Sequence, residues 1–145
     1  MSFFKSMKIS SAGLSAQRLR MNILSSNLAN AQSTRTEEGG PYKRKDVVFS
    51  AVGVEGPFSD YLDGSQGSQL KKPQVVDIHE DTKEPRTVFD PSHPDANEEG
   101  YVKMPNIQVM NEMVNMITAT RAYEANATAL NESKQMAMKA LEIGR

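Results

Sequence analysis

The sequence predicts a mainly α protein with a small β module: long N- and C-terminal helices paired as an antiparallel coiled coil, and a β-hairpin-like segment between them. Three observations carry this reading. The stretch from Asn106 to Ile143 contains no Pro or Gly. Apolar residues recur along it at alternate steps of four and three, the signature of a coiled-coil seam. A second row with the same stepping opens the chain.

That opening row runs Phe3, Met7, Ser10, Leu14, Gln17, Met21, Leu24, Leu28 and Ala31, broken only by Ser10 and Gln17. The helix is expected to start at Ser2 to Phe4 and to fade by Gln32 to Thr34. A neighbouring row, Ile9, Ala12, Ala16, Leu19 and Ile23, is also apolar. No third helical pattern is present to cover it, so its burial is expected against another subunit. Gly13 costs about 1 kcal/mol relative to Ala inside a helix and marks a close approach of another backbone. Asn27 and Asn30 are poor interior helix formers, placed to hydrogen-bond carbonyls left open at the helix end. Glu37-Glu38-Gly39-Gly40-Pro41 then ends the helix.

In the middle, Tyr42 to Ser50 is a strand candidate, and Gln74 to Glu80 alternates Val75, Asp77 and His79 against Val76 and Ile78. Gly53 to Lys72, rich in Gly, Ser and Asp, reads as a mobile loop. Thr87 to Phe89 and Gly100 to Met104 are short strands on either side of a turn. Isolated hairpins are marginal in water, so this module is expected to lean on neighbours. The expected organisation is a helical core domain over 1–34 and 105–145, with a β-rich module over 35–104 and a flexible loop near 53–72.

The C-terminal helix is expected to take Asn106 as its N-cap after Pro105. Its seam reads Val109, Met113, Met116, Thr120, Tyr123, Ala127, Leu130, Lys134, Ala137 and Leu141, with Thr120 and Lys134 as the breaks. At 1.5 Å per residue the helix runs roughly 55 Å and needs a partner. Five of the nine Met fall in it, and Met7 and Met21 lie in the N-terminal helix. Met adapts to irregular gaps, so this usage points to a surface that packs against several neighbours.

Composition narrows the function classes. The chain has 145 residues, 38% of them hydrophobic, and a mean hydropathy of -0.54, which argues against a large private core. No Cys is present, so disulfides and thiolate metal sites are excluded. No apolar run approaches the roughly 20 residues of a membrane span. Lys5, Lys8 and several Ser interrupt any secretory h-region. A basic amphipathic N-terminus also fits a transit peptide or membrane-surface helix, but the matching seam at the far end argues against its removal. Residues 1–36 carry five basic residues and no acid, and residues 37–105 carry fourteen acids against eight bases. Scattered basic residues beside an acidic middle argue against nucleic-acid binding.

Chemistry is sparse. Asp90-Pro91-Ser92-His93-Pro94-Asp95-Ala96-Asn97 contains three conceivable metal ligands, but its prolines, Ser and Asn are those of rigid turns. His79-Glu80-Asp81 reads as strand-end polarity rather than a general base. Two His, no phosphate loop and no nucleophile–base pair leave an enzyme little basis. The glycosylation triplets at Asn126 and Asn131 fall mid-helix without a secretory signal.

Ser11-Ala12-Gly13-Leu14-Ser15-Ala16-Gln17-Arg18, with Met21-Asn22 and Asn27-Leu28-Ala29-Asn30-Ala31, resembles the signature of bacterial flagellar basal-body rod and hook proteins. Gly39 to Lys45, Asp90 to Val102, Pro105-Asn106, Glu112-Met113 and Arg121-Ala122-Tyr123-Glu124-Ala125-Asn126 are similar to the proximal rod subunits of that family. These motifs cover both ends and much of the middle, in family order.

The resemblance implies antiparallel terminal helices in a tubular rod of helical order, with middle segments contacting outer neighbours. It implies partners among other rod and basal-body proteins and copies of the same chain. Small-molecule substrate, nucleic acid, cofactor, metal and direct membrane insertion are not expected. The implied location is the basal-body rod spanning the periplasm, reached through the flagellar type III apparatus without a cleaved signal. The implied work is mechanical: torque passes along a drive shaft that surrounds the export channel. Seam and interface positions expected to meet other subunits are Leu14, Met21, Asn22, Leu28, Asn30, Met113, Met116, Arg121, Tyr123 and Asn126, with Arg121 facing an acid on a neighbour. The alternatives are another rod-family subunit or a non-flagellar helical adaptor. An enzyme would require a defined metal or substrate at Asp90, His93 and Asp95.

Overall fold

The computed structural model describes residues 3–54 and 70–143. Helix α1 spans Phe3–Ala29, followed by strands β1 (Lys45–Gly53), β2 (Lys71–Glu80), β3 (Arg86–Phe89) and β4 (Tyr101–Met104), and helix α2 (Val109–Ile143). The two helices lie antiparallel, with Asn27 against Glu112, Met21 against Thr120 and Gly13 against Asn126.

The helices meet along part of the predicted seam, but the most buried positions are small or polar. On α2 the buried residues are Glu112, Ala119 and Ser133, with half-buried Met116, Tyr123, Asn126, Leu130 and Ala137 completing the stripe. Thr120 and Lys134, the two breaks in the predicted seam, are exposed, and the residues just before them are buried instead. One residue is about 100° of helix rotation, so the contact face is turned toward these positions, while Met116, Tyr123, Leu130 and Ala137 of the predicted seam stay within it. On α1 the opposite holds: Ser10, one of the breaks, is buried together with Gly13, Leu24 and Asn27. The reason is distance. Interaxial separation depends on the side chains at the contact, and Ser10, Gly13, Ala119 and Ser133 let the axes come close where Met and Val would hold them apart.

Gly13 shows the closeness directly. A Cβ there would lie 2.8 Å from Asn126 Oδ1. The approach predicted at Gly13 therefore exists, but from a side chain rather than another backbone. Asn126 is held by its own Nδ2, which donates to the Ala122 carbonyl at 2.8 Å. Gly13→Ala should consequently destabilise by about 1 kcal/mol as Asn126 is displaced, the helix-propensity gain offsetting part of the clash. In an Asn126→Ala background the same change should stabilise by up to about 1 kcal/mol. Urea unfolding of the four species checks this. Equal effects in both backgrounds would exclude the contact.

The second apolar row of α1 was expected to await another subunit, and this is corrected for Ala12, Ala16 and Leu19. Ala12, Ala16 and Leu19 face Lys72 to Val75 of β2, and β1 and β2 both pack on α1. The Arg20 guanidinium sits over the Phe49 ring at 5.9 Å, a cation–π contact that ties β1 to the helix. The hairpin escaped prediction as a cover because it supplies little apolar surface. Ala16 is nonetheless only 4% exposed.

β1 and β2 form an antiparallel ladder from Lys45↔Glu80 to Gly53↔Lys71, with a bulge at Val48/Phe49. Both strands run further than predicted, into Gly53 at one end and back to Lys71 at the other. The central part of the predicted loop, 55–69, lies outside the described residues. β3 and β4 form a second two-stranded ladder, Arg86↔Met104 to Phe89↔Tyr101, on either side of the predicted turn. Each candidate metal ligand in that turn has a structural partner, two of them within the turn and one at Thr34. Asp90 Oδ1 accepts from the Ser92 amide and hydroxyl, His93 Nδ1 accepts from the Asp95 amide, and Asp95 Oδ2 accepts from Thr34 Oγ1. Hydrogen bonds from the Ser92 side chain, then from its backbone, hold the Asp90 carboxyl below its ordinary pKa.

α2 begins at Val109, two residues later than an Asn106 cap predicts. Pro105 and Ile107 are both buried, and seating them keeps this stretch out of the helix. The first helical bond runs from the Glu112 amide to the Gln108 carbonyl at 3.1 Å, so Gln108 rather than Asn106 caps the helix.

Candidate assembly surface

The junction where α1 ends, β1 begins and α2 starts is built on two polar side chains. Asn27 is fully buried and Glu112 is 2% exposed. Asn27 Nδ2 donates to the Lys45 carbonyl at 2.8 Å and to Glu112 Oε2 at 3.1 Å. Its Oδ1 accepts from the Lys45 amide at 3.0 Å and from Tyr42 Oη at 3.2 Å. Both donors and both lone pairs are thereby satisfied, which is what makes complete burial of an amide tolerable. Arg44 Nε donates to Glu112 Oε1 at 2.7 Å, and its terminal nitrogens reach Asp46 at 3.3 Å. Burial works to lower the Arg44 pKa, but the hydrogen bond and charge of Glu112, aided by Asp46, hold it above the ordinary guanidinium value.

Local sequence delivers these groups. Gly39 and Gly40 both have left-handed φ, 83° and 86°, which only Gly adopts freely. They fold the chain back so that the Tyr42 amide donates to the Ser33 carbonyl at 3.0 Å. Tyr42, Arg44 and Lys45 then face the last turn of α1. Asn30 behaves as predicted, its Nδ2 donating to the Ser26 carbonyl at 2.9 Å. Asn27 instead bonds to the backbone of Lys45 and to Glu112.

The outward side of α2 is apolar at both ends. Met110 is 72% exposed, and Val109, Met113, Val114 and Ile117 are also exposed. Met136, Met138, Leu141 and Ile143 repeat this at the far end. Between Ile117 and Met136 no large apolar side chain is exposed. Among the described elements α2 packs on α1 alone, so both patches face outward.

Of the residues expected to meet other subunits, Asn22, Met113 and Arg121 are exposed. Leu14, Met21, Leu28, Asn30, Met116, Tyr123 and Asn126 are half-buried. The structure brings Met21 to Thr120, whose hydroxyl lies 3.5 Å from the sulfur. Asn27, Arg44 and Glu112 were missed as organising residues. The available signal was a spacing of seven that links Glu112, Ala119, Asn126 and Ser133, small or polar residues along a helix whose apolar residues lie elsewhere.

A family model described as "Flagella basal body rod protein" matches residues 7–35. A second, "Flagellar basal body rod FlgEFG protein C-terminal", matches residues 98–143. The flagellar basal-body rod protein FlgC of Bacillus subtilis is 44% identical over 155 residues, covering 100% of both chains. That of Borreliella burgdorferi is 42% identical, covering 99% of this chain and 98% of its own. The chain belongs to the FlgC family of flagellar basal-body rod proteins. FlgC of Yersinia enterocolitica is 38% identical over the full length of both chains. The two stretches matched by the rod models meet in space at the Asn27–Glu112 hydrogen bond, so the polar junction described above joins them.

Proposed function

We propose that this member of the FlgC family is a structural subunit that assembles with other rod and basal-body proteins, and with copies of itself, into a hollow helical tube. The tube transmits motor torque and surrounds the export channel. The α1–α2 pair (1–34 and 105–145) forms its inner layer, and the 35–104 module contacts outer neighbours. The chain works without catalysis, cofactor, nucleic acid or small-molecule substrate, and reaches the periplasm-spanning rod through the flagellar type III system without a cleaved signal.

One observation carries this reading: the most buried positions of α2 against α1 are Glu112, Ala119 and Ser133, while Met110, Met113, Val114 and Ile117 turn outward. Such an arrangement wastes hydrophobic burial in a free chain and recovers it only where neighbours cover the outer face. Leu14, Met21 and Leu28 flank the helix pair, and Asn22 and Arg121 stand free to meet another subunit.

The test is complementation of a strain lacking its own FlgC. Met113→Glu and Leu28→Glu together should leave no rods in electron micrographs and no swimming. Met113→Glu alone should keep the circular dichroism and unfolding midpoint of the native chain, because Met113 is exposed, yet lose at least most rod assembly. Normal swimming of the double variant would sink the assignment of these faces.

A further inference from the structure

We propose that the solvent-facing side of α1 docks the β3–β4 hairpin of a second copy of this chain, head to tail, through charge complementarity. The proposal rests on the rod reading and specifies which two faces meet. α1 has three faces, of which one packs on α2 and one on the β1–β2 hairpin. The third carries Phe4, Lys8, Ser11, Ser15, Arg18 and Asn22, all exposed. With no acid anywhere in residues 1–36, this face is purely positive. Lys8 and Arg18 form no ion pair among the described residues.

The matching surface is the turn from Asp90 to Gly100. It holds Asp90, Asp95, Glu98 and Glu99 and no Lys or Arg. Glu98 and Glu99 are exposed and form no ion pair among the described residues. Beside it Phe89 and Tyr101 stand edge to face with centroids 5.2 Å apart, and Phe89 is 63% exposed. This aromatic pair suits the Arg18 side chain as a cation–π partner. The turn packs closely on the ring: Gly100 has a φ of 82°, and a Cβ there would meet Phe89 at 2.9 Å.

The two surfaces cannot neutralise each other within one molecule. The Thr34–Asp95 hydrogen bond of 2.7 Å anchors the turn just beyond the C-terminal end of α1. From Ala29, Arg18 lies about 16 Å and Lys8 about 32 Å back along the helix at 1.5 Å per residue. A second copy displaced along the axis closes that gap. Because the contact joins unlike surfaces, it can repeat head to tail, as an open helical assembly requires. Each contact is weak and salt-sensitive, since exposed charges are screened beyond about 8 Å at physiological ionic strength.

The experiment is sedimentation of the purified full chain at 50 and 300 mM NaCl, for the native sequence, K8E/R18E, E98K/E99K and the four-site combination, each checked for native circular dichroism. The native chain should associate about tenfold more weakly at the higher salt. Either pair of reversals should weaken association about tenfold or more at low salt, and the combination should return to within about threefold of native. A combination no better than its parents overturns the proposal, as does a native chain that shows no concentration-dependent association. Binding to vesicles of phosphatidylglycerol that is lost in K8E/R18E, with self-association unchanged, assigns the face to a lipid surface instead and also overturns it. Complementation separates the two readings. Failure of the native chain to enter rods defeats the rod reading, whereas native-like rod entry by K8E/R18E defeats only this docking.

Discussion

Replacing Glu112 by alanine lowers the unfolding free energy by about 2–4 kcal/mol, the largest loss expected from any single side-chain truncation in the helix pair. The carboxylate is 2% exposed and accepts from Arg44 Nε and from Asn27 Nδ2. Removing it leaves a guanidinium and an amide N–H without their partner at a buried junction. The loss stays below the upper end for buried ion pairs because the Arg44 side chain remains 21% exposed and keeps Asp46 at 3.3 Å. Glu112→Gln should lose about half as much, since the hydrogen-bond geometry persists while the charge does not. Chemical denaturation of the purified chain measures both. A loss under about 0.5 kcal/mol for Glu112→Ala would mean that the junction does not hold the helices together.

Replacing Asn27 has the second largest effect. Asn27→Ala removes four hydrogen bonds at a fully buried site and strands the Lys45 amide and carbonyl, for a loss of about 2–3 kcal/mol. Asn27→Asp should be worse near neutral pH. The new carboxylate faces Glu112 and the Lys45 carbonyl, so its folded-state pKa rises above the unfolded value. A raised acid pKa contributes its penalty above that pKa, and the penalty fades as pH falls. The gap between Asn27→Asp and native should therefore narrow on acidification to about pH 5. A gap that widens would contradict the geometry. Because Asn27 and Glu112 share a hydrogen bond, the double truncation should cost less than the sum of the singles, by about 1 kcal/mol.

Glu112 and Asn27 also show why part of this molecule could be read from residues alone. Local chemistry decided the two long helices, since no Pro or Gly interrupts Asn106 to Ile143 and the heptad stepping needs only neighbours in sequence. Turn chemistry likewise marked the break at Glu37 to Pro41 and the Asp90–Asn97 turn, each residue type announcing its own backbone preference. The start of α2 was placed two residues early because Asn106 is a good cap, while burial of Pro105 and Ile107 depends on surfaces far away in sequence. The hairpin that covers Ala12, Ala16 and Leu19 was missed for a similar reason. Its two strands were legible, but their docking on α1 rests on small contacts with no periodic signal.

The residues by themselves determined two amphipathic helices of coiled-coil period, a short β module between them, and an excess of apolar helix surface over what one chain can cover. Only the tertiary structure decided which face of each helix turns inward. Apolarity ranks faces by the water they would exclude, and that ranking put Met113 and Val109 inside. Close packing ranks them by how near two backbones can come, and Gly13, Ala119 and Ser133 win that contest while the larger side chains turn outward.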